Sequence, residues 1–310
     1  LNWPSETING LGRLHYAWVI VGVLALVQVV GLSVNFAGGV LVNPLSDPDG
    51  EFGFSLAEVG ASWSLYYLMA AVLSPVAGWL GDRYGGRQLM VAGAVLYAGV
   101  LVSVAFISQP WHLFLSFGIL RGAVQAIFMV PLMASVSVWF RRRLGLGVGV
   151  LWAAGGIGPA IMSPLLGNMV TSLGWETSFL LVGPVAGGFF LILSILFRNR
   201  PEDLNLNHYG HSRTDAAEPV KNKALENLRA KVFNQTIRRT TAFWNLPAIH
   251  ALGCMGHGIV LVFAVPMAVS HGVDLTTAAW MLSIISLVSI PSRIITPVIA
   301  ERHGTKGIMA

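Results

Sequence analysis

A single cysteine, Cys254, stands among 310 residues. That excludes a disulfide framework and any cysteine-rich metal site, and its apolar surroundings suit an inert buried thiol. Charge is scarce as well: Asp, Glu, Lys and Arg make up 11% of the chain, against about a quarter in an ordinary soluble domain. The few charges are clumped. None falls between Arg13 and Asp47, between Arg87 and Arg121, or between Arg143 and Glu176. A bilayer core takes roughly 20 apolar residues per helix, so each gap holds one span or two joined by a tight hairpin. The motifs of hydrolytic chemistry are missing too. There is no Gly-x4-Gly-Lys-Ser/Thr loop, no pair of catalytic carboxylates and no metal-ligand spacing, so the sequence implies neither an enzyme nor a cofactor. The polar start at Leu1–Leu14 and the long apolar run after it do not fit a cleavable signal peptide.

What is abundant is apolar surface, at 55% of residues. Eight helical spans are predicted, at roughly 16–42, 57–81, 88–107, 112–138, 144–168, 176–197, 242–269 and 276–300. Loop charge tests this layout. Arg13, Arg83, Arg87, Arg141, Arg142, Arg143, the bases between Arg198 and Arg239, Arg302 and Lys306 all fall on one side. The opposite loops hold Asp47, Asp49, Glu51, Glu58, Glu176 and Asp274, with no base. The net charge of +5 therefore describes topology rather than nucleic-acid binding. The positive-inside rule makes the basic side cytoplasmic, with the N-terminus and residues 199–241 inside and the plasma membrane (bacterial inner membrane) as the expected location.

Residues 1–198 form the expected N-terminal bundle of six spans. Residues 199–241 form a polar, mixed-charge linker carrying Pro201 and Pro219. Residues 242–310 begin a second bundle with two spans. Within the linker, Lys221–Phe233 is predicted as a short amphipathic helix with Leu225, Leu228, Val232 and Phe233 on one side. Two readings stand for it: a helix lying on the inner leaflet, or a solvated connector.

An internal repeat links the two parts. Gly81-Asp82-Arg83-Tyr84-Gly85-Gly86-Arg87 follows the second span, and Ala300-Glu301-Arg302-His303-Gly304-Thr305-Lys306 follows the eighth. Acid, Arg, any residue, Gly, any residue, base recurs, as in transporters built from parallel halves. If the second half repeats the first, it needs six spans. The expectation is therefore a longer parent chain of twelve helices, since this one starts without Met and ends within the pattern.

Gly78-Trp79-Leu80-Gly81-Asp82-Arg83-Tyr84-Gly85-Gly86-Arg87 resembles the major facilitator motif G-x-L-x-D-R-x-G-x-R between the second and third helices. The resemblance covers the whole chain. It implies an all-α integral membrane protein of the major facilitator fold, here the six-helix N-terminal bundle plus the first two helices of the C-terminal one. It also implies secondary transport by alternating access. In that family the loop, here Gly78, Gly81, Asp82, Arg83, Gly85 and Arg87, latches the cytoplasmic side. Chemically, Asp82 is placed to pair with Arg83 or Arg87, or to face a neighbouring helix N-terminus. The plain alternative is a tight turn with a positive-inside anchor. The second copy departs, with Pro297 in place of the glycine and Glu301 in place of the aspartate.

Two bases lie inside spans, where charge is costly and normally faces a partner or a wet cavity. Leu120-Arg121-Gly122 resembles the fourth-helix motif, which implies a role in coupling or interior hydrogen bonding; the alternative is an Arg satisfied by backbone carbonyls and Gln125. Ser289-Ile290-Pro291-Ser292-Arg293 is similar to the eighth helix of monocarboxylate transporters and the oxalate/formate antiporter group, where the Arg binds a substrate carboxylate. A guanidinium suits that task, being a planar, permanently charged fork; the alternative is an Arg reaching to the interface. Arg198-Asn199-Arg200-Pro201-Glu202-Asp203 and Ala17-Trp18-Val19-Ile20 also resemble that subgroup. Monocarboxylate transporters carry a Lys near the outer end of the first helix, and here Asn35 and Asn43 are the nearest polar residues.

Trp63, Tyr66 and Tyr67 are candidate cavity walls, or interfacial aromatics. His250 and His257, seven residues apart, share a helix face and are candidate proton relays or buried neutral histidines. Gln28 and Asn35 share the same spacing and offer bonds to substrate or to a neighbouring helix. Gly155, Gly158 and Pro159, with Pro164 and Gly167, resemble the fifth-helix motif associated with exchangers and mark a close helix contact. The expected partners are a small organic anion, a mono- or dicarboxylate, with a coupling proton or counter-anion, and the lipid bilayer around a monomer. A drug or sugar carrier, or a transporter-like sensor, is the alternative.

Overall fold

The computed structural model describes residues 15–46, 53–210 and 223–304. Asn35, Asn43, His250, Cys254 and His257 lie outside the described residues as far as their side chains are concerned. The helices are α1 (Tyr16–Ser46), α2 (Leu56–Tyr84), α3 (Gly86–Val104), α4 (Pro110–Trp139), α5 (Leu144–Leu173), α6 (Trp175–Leu196), α7 (Lys223–Ile237), α8 (Thr241–Ser270) and α9 (Leu275–His303). Among the described residues seven helices, α1 to α6 and α9, are long and apolar enough to cross a membrane. The 30-residue α8 contains no Asp, Glu, Lys or Arg. At 1.5 Å per residue it runs about 45 Å, longer than the roughly 30 Å hydrocarbon core.

The chain divides into two compact units, Leu1–His211 with Ala264–Ala310, and Ser212–Phe263. The second holds α7, whose Leu228, Val232 and Phe233 are exposed. In the first, α1 packs along α5, α3 along α6, α2 along α4, and α9 along α5. Its apolar centre is aromatic: Phe117, Phe128, Phe179 and Phe190 are fully buried, with Phe128 and Phe190 at 4.8 Å between ring centroids.

The repeat seen in the loops extends through whole helices. The start of α2 is fixed by Ser55, whose Oγ accepts from Glu58 N at 3.2 Å. The start of α9 is fixed by Asp274, whose carboxylate accepts from Thr277 N at 2.8 Å. Both helices are 29 residues long. Each ends on a glycine in a conformation reserved for glycine. Gly85 has φ 81° and ψ 154° and donates to Gly81 O; Gly304 has φ 83° and ψ 158° and donates to Ala300 O. Cap, length and turn recur in register without insertion.

The helix ends that carry the arginines are tied together by the chain after α6. Asn199 Oδ1 accepts from Arg87 N at 2.8 Å. Tyr209 N donates to Trp139 O at 2.9 Å, and Arg141 N donates to Tyr209 O at 3.0 Å. His208 Nδ1 lies 2.7 Å from Val138 O, and His15 Nε2 lies 3.1 Å from Asn207 O. Residues 199–209, assigned to the linker by composition, thus dock on the bundle through backbone and side-chain bonds that composition does not register.

Candidate functional site

Small residues let α5 and α9 run side by side over most of their length. Gly145 N donates to the Glu301 carboxylate at 2.8 Å, so the acid of the second loop copy caps the start of α5, where an anion is favoured. Further along, Ser283 Oγ donates to Ala160 O. At the far end a Cβ built on Gly167 would stand 3.3 Å from Ala279 Cβ.

Arg293 sits within this contact, ten residues from the end of α9, or about 15 Å along it. It is half-buried. Nε donates to Ser289 Oγ at 3.0 Å and Nη1 to Trp152 O at 3.2 Å. Among the described residues no carboxylate pairs with it. Gly155 leaves the room: a Cβ there would meet Leu32 Cδ1 at 2.7 Å, Arg293 Nη1 at 3.4 Å and Gln28 Nε2 at 3.9 Å. Side chains of α1 and α9 therefore meet α5 at Gly155.

Arg121 occupies a second cluster. It is 4% exposed, with its guanidinium carbon 4.4 Å from the Phe117 ring centroid and 5.5 Å from that of Tyr66. Among the described residues its Nη1 is buried without a hydrogen-bond partner, so there neither Gln125 nor a backbone carbonyl satisfies that nitrogen. The preceding residues, Phe114–Leu120, form a wide π-type turn inside α4, a distortion often found at functional positions. Trp63 packs on Phe117 at 4.1 Å and Tyr66 on Tyr67 at 4.8 Å between centroids. Trp63 and Tyr66 are buried, whereas Tyr67 is 45% exposed. Trp63, Tyr66 and Arg121 are thus brought together, while Arg293 bonds within the contact of α5 and α9. Asn35, His250 and His257 lie outside the described residues in their side chains.

The loop after α2 differs from expectation in its partners. Among the described residues Asp82 makes no ion pair with Arg83 or Arg87. Arg83 instead lies 5.3 Å from the Trp79 ring centroid and 5.4 Å from that of Tyr84, a cation–π arrangement. Arg87 Nε donates to Ser194 O at 3.2 Å, tying α3 to α6. Asp82 is left exposed. Gly81 allows α2 to approach Pro131, and Gly85 lies against Asn199. In α5, Gly158 is pressed against Val29 O and Ser33 of α1 next to Pro159, so the fifth-helix motif serves close packing. The sequence did not point to the Glu301–Gly145 bond or to the approach of Gln28 and Arg293 to the same glycine, Gly155. The first had a signal in the acid of the second loop copy; the second had none beyond a polar residue in an apolar span.

These features define a multi-pass helical membrane protein with one buried and one half-buried arginine inside its spans and with repeat-related helices. Residues 24–310 match the family model of the Major Facilitator Superfamily, and the chain belongs to that family. Among similar proteins, monocarboxylate transporter 11 of Mus musculus is 30% identical over 55% of this chain and 37% of that protein. Monocarboxylate transporter 2 of Homo sapiens is 23% identical over 90% of this chain and 59% of that protein. The uncharacterized transporter YycB of Bacillus subtilis is 26% identical over 96% of this chain and 68% of that protein. The chain thus spans about half the length of the curated relatives it matches.

Proposed function

We propose that the parent protein is a secondary transporter of small organic anions, mono- or dicarboxylates, working by symport or exchange. One observation carries this reading: Arg293, about 15 Å along its helix, holds a guanidinium bonded only to a hydroxyl and a carbonyl among the described residues. A charge at that depth calls for a counter-charge, and a carboxylate matches the fork. The names of the monocarboxylate transporters among its relatives support the same class. In this reading residues 1–198 are one bundle, 199–241 the cytoplasmic connector and 242–310 the start of the second bundle, with the arginine-rich end inside. Asp82, exposed after α2, gates that end; Arg121 holds the α2–α4 aromatic packing and so the shape of the cavity. Energy comes from a proton or a counter-anion, with His250 and His257 as candidate relays.

The test is uptake by the full-length protein in liposomes loaded with oxalate, formate, lactate or pyruvate. Carboxylate uptake that Arg293→Gln abolishes is the expected result. Uptake by Arg293→Gln equal to the parent overturns the assignment and returns Arg293 to a helix-end anchor.

A further inference from the structure

Gln28 is 3% exposed and sits twelve residues into α1, about 18 Å along it. Gly155 is about 17 Å along α5 and Arg293 about 15 Å from the end of α9, so all three lie at one depth. Among the described residues the Gln28 amide makes no hydrogen bond. A nearly buried amide without a protein partner favours a ligand that supplies one. Gln28 Nε2, at 3.9 Å, and Arg293 Nη1, at 3.4 Å, flank the point where Gly155 lacks a Cβ, with Leu32 Cδ1 packed 2.7 Å from the same point. Among the described residues Arg293 is the charged side chain at this junction; Leu32, Trp152 and Ser289 around it carry no charge. Two donors from different helices therefore lie beside one glycine, and a carboxylate reaches both where the Leu32 methyl gives way.

We propose that Gln28 is the second donor of the anion site, so that one carboxylate is bridged between its amide on α1 and the guanidinium on α9. The assignment rests on the reading of Arg293 as a carboxylate anchor. It adds a consequence: α1 belongs to the first bundle and α9 to the second, so a bound anion fastens one repeat to the other and favours closure around itself.

The test uses the full-length protein in liposomes with whichever of oxalate, formate, lactate and pyruvate the parent takes up best. Gln28→Leu is expected to raise KM roughly tenfold, the weight of a charge-assisted bond, with kcat within about twofold. Gln28→Glu places an anion beside Arg293 and is expected to abolish uptake at pH 7.5. Because a protonated Glu has the shape of Gln, activity relative to the parent at the same pH returns on acidification, which a packing role for Gln28 does not produce. A Gln28→Leu KM within twofold of the parent, together with a Gln28→Glu variant that follows the parent's pH profile, overturns the proposal. Loss of uptake in Arg293→Gln alongside that result leaves the carboxylate reading standing, whereas full uptake by Arg293→Gln removes the carboxylate reading itself.

Discussion

Arg121 and Asp274 show how differently a charge behaves inside and outside a span. Arg121 is wedged between Phe117 and Tyr66 with Nη1 unsatisfied among the described residues, so it acts through its flat face as much as through its charge. Lysine keeps the charge and loses that face. Arg121→Lys is expected to lower uptake by the full-length protein at least tenfold without reducing the amount folded, read as uptake against the monodisperse peak in detergent. Asp274 stands before α9 and is fully solvated. Bonds from Thr277, side chain first and then backbone, hold its carboxyl below the usual value of 3.8. A lowered value in the folded state means that its contribution is complete above the unfolded value and fades as pH falls through the folded one. Thermal unfolding of the detergent-solubilised protein should therefore weaken below about pH 4. That weakening should be smaller in Asp274→Asn, which keeps a capping oxygen without the titration.

At the scale of helices, charge spacing made most of the fold legible. The predicted 57–81 and 276–300 became Leu56–Tyr84 and Leu275–His303, because charge sets where a span must end, while caps at Ser55 and Asp274 and glycines at 85 and 304 set the residue. The Asp82 and Glu301 loops were equally legible as a repeat. What they touch was not. Glu301 finds the start of α5 while Asp82 stays exposed, and Arg87 turns to Ser194 rather than to Asp82. Such choices are made by helices distant in sequence, as is the docking of residues 199–209. The two glycine turns give a comparison. Each forbids a side chain by its backbone angles, but a Cβ on Gly85 would also meet Asn199 Nδ2 at 2.6 Å, whereas among the described residues Gly304 has nothing within 4 Å. Gly85→Ala is expected to cost about 1–3 kcal/mol and Gly304→Ala less, as read from unfolding temperatures in one detergent.

For the whole molecule, the contact of α5 with α9 joins the first repeat to the second, and in this structure it is closed at both ends. Gly145 meets Glu301 at one end and Gly167 meets Ala279 at the other. A transporter that rocks two bundles must part these ends in turn, so fastening either should stop it. The Gly167 position suits a cross-link, since its Cβ would lie 3.3 Å from that of Ala279, close to the roughly 3.5–4.5 Å of a disulfide. In a background where Cys254, the sole cysteine of the chain, and any cysteine elsewhere in the parent are replaced, Gly167→Cys with Ala279→Cys should oxidise readily. Uptake should fall to the level of empty liposomes and return on reduction. If the oxidised pair transports at the parent rate, α5 and α9 move as one body. The rocking axis then lies elsewhere, and α9 belongs mechanically with the first bundle despite its place in the repeat.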